Sequence, residues 1–171
     1  MEDSKGVEAP RYELKDLPPE AYRHLLQMEG LITQHLDLTL YHLIKLRASQ
    51  INGCAFCLAM HTDEALKHGE TPARIVSLDA WEESPLYSDK ERAALAWTEE
   101  LTLIADSGAS KDSFNGLKAH FSDDEIAWLI LAAVQINSWN RIAISTRAQY
   151  DRKMFEHAAP AATPAKQSEP A

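Results

Sequence analysis

The sequence predicts an all-α protein, a helical bundle in which one helical hairpin carries a paired-cysteine motif. Three observations point there. Apolar residues recur with a period near 3.6 over long segments, and no stretch alternates apolar and polar residues between hairpin turns. Glycine is scarce, with 6 among 171 residues, which leaves few positions for sharp reversals. Helix starts and stops are marked by the residues that cap them.

Taken in order, Pro18-Pro19 opens a first helix through Leu25, Leu26 and Met28 that Gly30 can end. Asp37 is placed to cap a second helix running to Ile51, with Asn52-Gly53 as its terminator. A third begins at about Cys54 and ends at Gly69. Thr71-Pro72 has the order of a cap followed by proline in the first turn, and starts a short helix through Ile75 and Leu78. Ser88-Asp-Lys-Glu91 and Ser122-Asp-Asp-Glu125 are capping boxes for two further helices, with a short amphipathic helix between them over 110–121. The last helix, about 123–150, is apolar nearly all round up to Asn137 and should cross the centre of the domain. The expected organisation is a flexible arm over 1–10, one helical domain over 11–157, and a disordered tail over 158–171 that is rich in Ala and Pro.

Composition narrows the function. The net charge of −9 and a pI near 5.2 disfavour nucleic acid and anionic membrane surfaces, both of which call for a basic patch. The longest apolar run, Ile126 to Val134, is about half of the roughly 20 residues a membrane-spanning helix needs. Met1 to Gly6 has neither a basic nor an apolar signal region. With only two cysteines, the expected compartment is the reducing cytoplasm, where a Cys pair two residues apart reads as redox or metal chemistry. No G-x-G-x-x-G fingerprint is present, so neither a nicotinamide nor a flavin cofactor is expected.

The chemistry-bearing run is Asn52-Gly-Cys54-Ala-Phe-Cys57-Leu-Ala-Met-His61. Gly53 breaks the preceding helix and sets Cys54 at the start of the next. The helix dipole and free N–H groups there favour a thiolate. Cys57 and His61, four residues apart, share a helix face, which brings an imidazole to a thiol as activated-thiol catalysis requires. Such a thiolate can open a peroxide O–O bond and become a sulfenic acid, which the second thiol condenses to a disulfide. If the chain reverses near Asn52, His42 lies opposite His61 in the antiparallel hairpin and is a candidate for the proton relay. Position alone makes Cys54 the more acidic and exposed thiol, whereas the Cys57–His61 spacing favours Cys57 as the attacker. The other histidines, His68 among them, have no such partner spacing and read as surface residues. Trp81, Trp97, Trp128 and Trp139 read as packing anchors, and Asn137, Asn140 and Arg141 as a structural polar network.

The run from His42 to Thr62, with Glu91-Arg-Ala-Ala-Leu-Ala-Trp97 and Ile136-Asn-Ser-Trp139-Asn140-Arg141, resembles the alkylhydroperoxidase D-like branch of the carboxymuconolactone decarboxylase family. The resemblance spans roughly Pro19 to Arg147. It implies an all-helical bundle that assembles as a homodimer, trimer or hexamer, and reduction of organic hydroperoxides with an external, lipoyl-type dithiol as reductant. It makes Cys57 the sulfur that attacks peroxide, Cys54 the resolving partner, and His61 part of a proton relay. The sequence departs from the family at His42, where the peroxidases carry a glutamate, so a negative charge beside His61 is missing from that position. Lactone decarboxylation is not implied, because that branch lacks the paired cysteines. Two alternatives stand beside the peroxidase: a general dithiol–disulfide oxidoreductase with weak peroxidase activity, and a metal-binding module built from Cys54, Cys57, His61 and His42. A helical assembly whose dithiol only regulates oligomerisation is a further possibility.

Overall fold

The computed structural model describes residues 8–151, and these are helical without strands. Eight α-helices follow in order: α1 (Pro19–His35), α2 (Leu38–Asn52), α3 (Ala55–Lys67), α4 (Pro72–Ser77), α5 (Asp89–Thr102), α6 (Ile104–Ser107), α7 (Lys111–Lys118) and α8 (Asp123–Thr146). Single 3-10 turns occupy Leu14–Asp16 and Leu78–Ala80. The predicted tail over 158–171 and the first seven residues of the predicted arm lie outside the described residues.

The caps read from the sequence form as local chemistry dictates. Asp37 accepts from the Leu40 N–H at 3.1 Å and starts α2. Thr71 accepts from the Arg74 N–H, and both capping boxes are closed in both directions, Ser88 with Glu91 and Ser122 with Glu125. Gly53 ends α2 in the left-handed conformation at φ +67°, the region in which glycine pays no Cβ penalty.

Some boundaries differ: α8 ends at Thr146, where Arg147 turns left-handed, rather than near 150, and α7 covers only Lys111–Lys118. Helix α1 runs through Gly30 to His35, because Ile32, fully buried two residues on, anchors another turn in the core. That burial outweighs the roughly 1 kcal/mol a helical glycine costs relative to alanine.

Helices α2 and α8 lie at the centre. Helix α8 packs against α1, α2, α3, α5 and α7, and Leu129, Ala132, Ala133, Ile136 and Asn140 are all but inaccessible. Helix α2 packs on α3, α5 and α8 and is buried almost continuously from Leu40 to Ser49, so even Lys45 and His42 are enclosed. Two apolar clusters result. One gathers α1, α2, α7 and α8 around Ile32, Ile44, Leu117 and Ile136; a smaller one sets Leu43 and Leu46 against Leu78, Trp81 and Leu95.

The segment over 8–17 is strapped to the end of α8. The Arg11 N–H donates to Thr146 O at 2.8 Å, Gln149 donates to Glu8 O at 3.0 Å, and Arg147 pairs with Glu8. The strap brings Leu14 to the mouth of the cavity described next. Among the described residues, no helix is long and apolar enough to cross a membrane.

Candidate active site

The site is built at the α2–α3 turn. Gly53 turns the chain and makes Cys54 the N-cap of α3, where its Sγ accepts the Cys57 N–H at 3.4 Å. The two sulfurs share a hydrogen bond at 2.8 Å. Both are free thiols and both are enclosed, Cys54 at 2% and Cys57 at 1% exposure, so the exposure expected for Cys54 is not observed. The cause is α8, whose Asn140 lies over the turn.

Acidity separates the pair. The hydrogen bond from Cys57 Sγ lowers Cys54 to about 7 against the opposing effect of burial, with help from the Cys57 N–H and the Asn140 side chain. Cys57 is pushed up, first by holding the proton it shares with Cys54 and then by burial. The pair therefore gives up one proton readily and holds the second strongly. Access separates it the other way. A cavity of about 270 Å³ opens over Cys57 and not over Cys54. Its wall is mostly apolar, with Tyr22, Leu26, Phe56, Met60 and Trp139, and it is closed on the polar side by Glu29, Tyr41, His61 and Glu64.

His61 shares this cavity with Cys57, as the spacing predicts, but its hydrogen bond goes elsewhere. Nδ1 meets Glu64 Oε2 at 2.8 Å, and Nε2 is buried without a partner in the chain. The carboxylate missing at position 42 is thus supplied from one turn further along α3. Burial would raise the Glu64 carboxyl, yet the His61 hydrogen bond, together with the charges of His61, His42 and Lys45, holds it below its usual range.

His42 lies near enough to His61 for the charges to interact but makes no hydrogen bond to it. Its ring lies 4.9 Å from that of His68 and edge-on to Tyr41 at 5.2 Å, and neither nitrogen has a hydrogen-bond partner. Burial, then His68, lowers its basicity. It stands behind the cavity wall rather than in it.

Several residues of the site are given only a structural role, or none, by the sequence. Lys45, wholly buried, pairs with Glu29, which also accepts the Tyr41 hydroxyl at 2.8 Å. Trp139 serves as cavity wall, meeting Tyr22 edge-to-face at 5.8 Å. Asn140 links the thiols to the helix core: it accepts from Asn52 Nδ2 and donates to Ser49 Oγ, each at 3.0 Å, while assisting both sulfurs. Asn137 joins this network through Asn52 and Thr102. Of these, Glu64 left a readable signal, since a carboxylate three residues after a histidine shares its helix face. Among the described residues, no group of three or more His, Cys, Asp or Glu side chains is arranged to hold a metal ion.

Comparison with known proteins follows the same line. The carboxymuconolactone decarboxylase family profile matches residues 19–100. An uncharacterized protein of Bacillus subtilis (strain 168), YdfG, is 41% identical over 131 residues, spanning 76% of this chain and 89% of its own length. A crystal structure of ATU0492 from Agrobacterium tumefaciens, a protein of unknown function with a suggested role in AhpD-type antioxidant defence, matches at TM-score 0.81 and 42% identity, covering 84% of this chain and 99% of that one. The AhpD core of a peroxidase-related protein from Ralstonia eutropha JMP134 shares the fold at TM-score 0.69 and 18% identity, over 80% of this chain and 74% of that one. Relatives at 41% and 42% identity over most of their length exclude a chance likeness of helices: the chain belongs to the carboxymuconolactone decarboxylase family and has its alkylhydroperoxidase D-like fold.

Proposed function

We propose that this protein is a thiol-dependent peroxidase that reduces organic hydroperoxides through Cys57 and Cys54. The observation that carries the reading is the division of labour at the α3 N-terminus: Cys57 faces a mostly apolar cavity, and Cys54, the more acidic thiol, lies behind it at 2.8 Å.

A hydroperoxide in the cavity meets Cys57. Passing one proton across the sulfur pair, from Cys57 to Cys54, puts the thiolate where the substrate is. Cys57 Sγ attacks the terminal peroxide oxygen, the O–O bond breaks, and the departing alkoxide takes a proton and leaves as the alcohol. His61 is the group placed to pass that proton, with Nδ1 oriented by Glu64 and Nε2 free on the same helix face as Cys57. The product on Cys57 is a sulfenic acid. Cys54 gives up the proton it took from Cys57 and attacks that sulfur; the leaving hydroxide takes up that proton and departs as water, and a disulfide remains. An external dithiol, of lipoyl type or similar, returns two electrons and two protons by exchange. His42, lacking any hydrogen bond to the other members, is assigned no direct step; a relay role for it would run through His68. Assembly into a homo-oligomer is part of the proposal.

One observation favours disulfide exchange as a second reading: an acidic thiol at a helix N-cap is the usual attacking group of dithiol exchangers. The 2% exposure of Cys54 weighs against exchange with a bulky disulfide.

Trapping tests the assignment of roles. Cys54→Ser treated with an organic hydroperoxide should accumulate a sulfenic acid on Cys57 that dimedone captures and peptide mass spectrometry locates. Equal labelling of Cys54 in Cys57→Ser would exchange the roles.

A further inference from the structure

The cavity over Cys57 has a charge pattern that bears on which hydroperoxides it admits. Its wall holds two carboxylates, Glu29 and Glu64, and neither lysine nor arginine. Each carboxylate already has a hydrogen-bond partner of its own. Lys45 is wholly enclosed behind the wall and is taken up by Glu29; His61 is taken up by Glu64. Tyr41, the neutral donor on the polar side, also donates its hydrogen bond to Glu29. The cavity thus has no spare positive group, and forming the Cys57 thiolate adds a negative charge. The rest of the wall, Tyr22, Leu26, Phe56, Met60 and Trp139, offers aromatic and aliphatic surface.

Resting on the peroxidase reading, we propose that the site is selective for uncharged hydroperoxides with a compact apolar or aromatic body and discriminates against hydroperoxides bearing a carboxylate. An apolar body gains from leaving water in a cavity of about 270 Å³. A carboxylate entering the same space loses hydration, finds no counter-charge, and approaches Glu29, Glu64 and the thiolate. Free fatty-acid hydroperoxides fall in the disfavoured class; aryl and branched alkyl hydroperoxides fall in the favoured one.

Three substrates that differ in little but charge test this: cumene hydroperoxide, 4-(2-hydroperoxypropan-2-yl)benzoic acid and the methyl ester of that acid. With the full chain and excess dihydrolipoamide, the ester should be turned over with kcat/KM within a few-fold of cumene hydroperoxide. The acid should be lower by at least about tenfold, mainly through KM, with a gap that narrows as salt rises. Glu29→Gln, which removes one of the two wall carboxylates, should narrow the gap as well. An acid used as well as its ester overturns the proposal while leaving the peroxidase reading intact.

A second measurement separates the two ideas if no hydroperoxide is consumed. The corresponding alcohols, which cannot react, are tested for protection of Cys57 against iodoacetamide. Protection by 2-phenyl-2-propanol and by the ester alcohol, but not by the acid alcohol, supports the selectivity although the peroxidase reading has failed. Equal protection by all three overturns the selectivity.

Discussion

Replacing Lys45 by methionine probes the site's most enclosed charge. Lys45 is 0% exposed and its partner Glu29 keeps 17% side-chain exposure, so the ammonium depends on one carboxylate for compensation while that carboxylate retains some water and the Tyr41 hydroxyl. Removing one partner of a buried pair costs about 3–5 kcal/mol when the other is left stranded; the residual solvation of Glu29 puts Lys45→Met near the lower end, about 3 kcal/mol. For a chain of this length that corresponds to a fall in Tm of roughly 6–12 °C. Burial lowers the basicity of Lys45 more than Glu29 restores it, which marks the pair as costly to bury in the first place. Removing both charges should therefore recover much of the loss. Lys45→Met with Glu29→Gln keeps an acceptor for Tyr41 and should lie within about 1 kcal/mol of wild type, so that the second substitution recovers about 2 kcal/mol of the cost of the first. Urea denaturation of the three proteins, fully reduced, is the assay. A single variant within about 0.5 kcal/mol of wild type, or a double variant no better than the single, would refute the reasoning, because the pair would then behave as a solvated surface contact.

Two further outcomes follow from the α2–α3 turn. The dithiol should lose one proton with a midpoint near pH 7, read by thiolate ultraviolet absorbance, and should not lose the second until far into the alkaline range. Because hydrogen bonds lower the Cys54 value, the thiolate fraction grows as pH rises through 7, and Cys57→Ser or Asn140→Ala should move the midpoint upward or leave it, but never lower it. Gly53→Ala meets no atom within 4 Å of the added Cβ, so its cost is the left-handed backbone alone, about 1 kcal/mol in thermal or urea unfolding; a neutral result would mean the turn relaxes out of φ +67°.

What could be read from the sequence divides by distance along the chain. Asp37, Thr71, Ser88 and Ser122 act on N–H groups three residues away, and all four caps are formed. The Cys54–Cys57–His61 spacing is equally local, and all three residues meet at one helix start. Gly30 shows where local signals fail: its stop signal was overridden by burial of Ile32, a fact of packing. The remainder of the site is long-range. Glu29 reaches Lys45 from α1, and Asn140 and Trp139 reach the thiols and cavity from α8, pairings that no periodicity specifies. A count of residues about the turn sets His42 opposite His61. The hairpin does form, but its side chains set His42 against His68. The charge sought at position 42 was available at Glu64 by the three-residue spacing on the same helix.

The most direct test of the central claim is steady-state consumption of cumene hydroperoxide with excess dihydrolipoamide by wild type, Cys57→Ser and Cys54→Ser. The account predicts turnover by wild type, none above background for Cys57→Ser, and a single stoichiometric event without turnover for Cys54→Ser. Undiminished turnover in Cys57→Ser, or none in a wild type whose thiols are reduced, would contradict it.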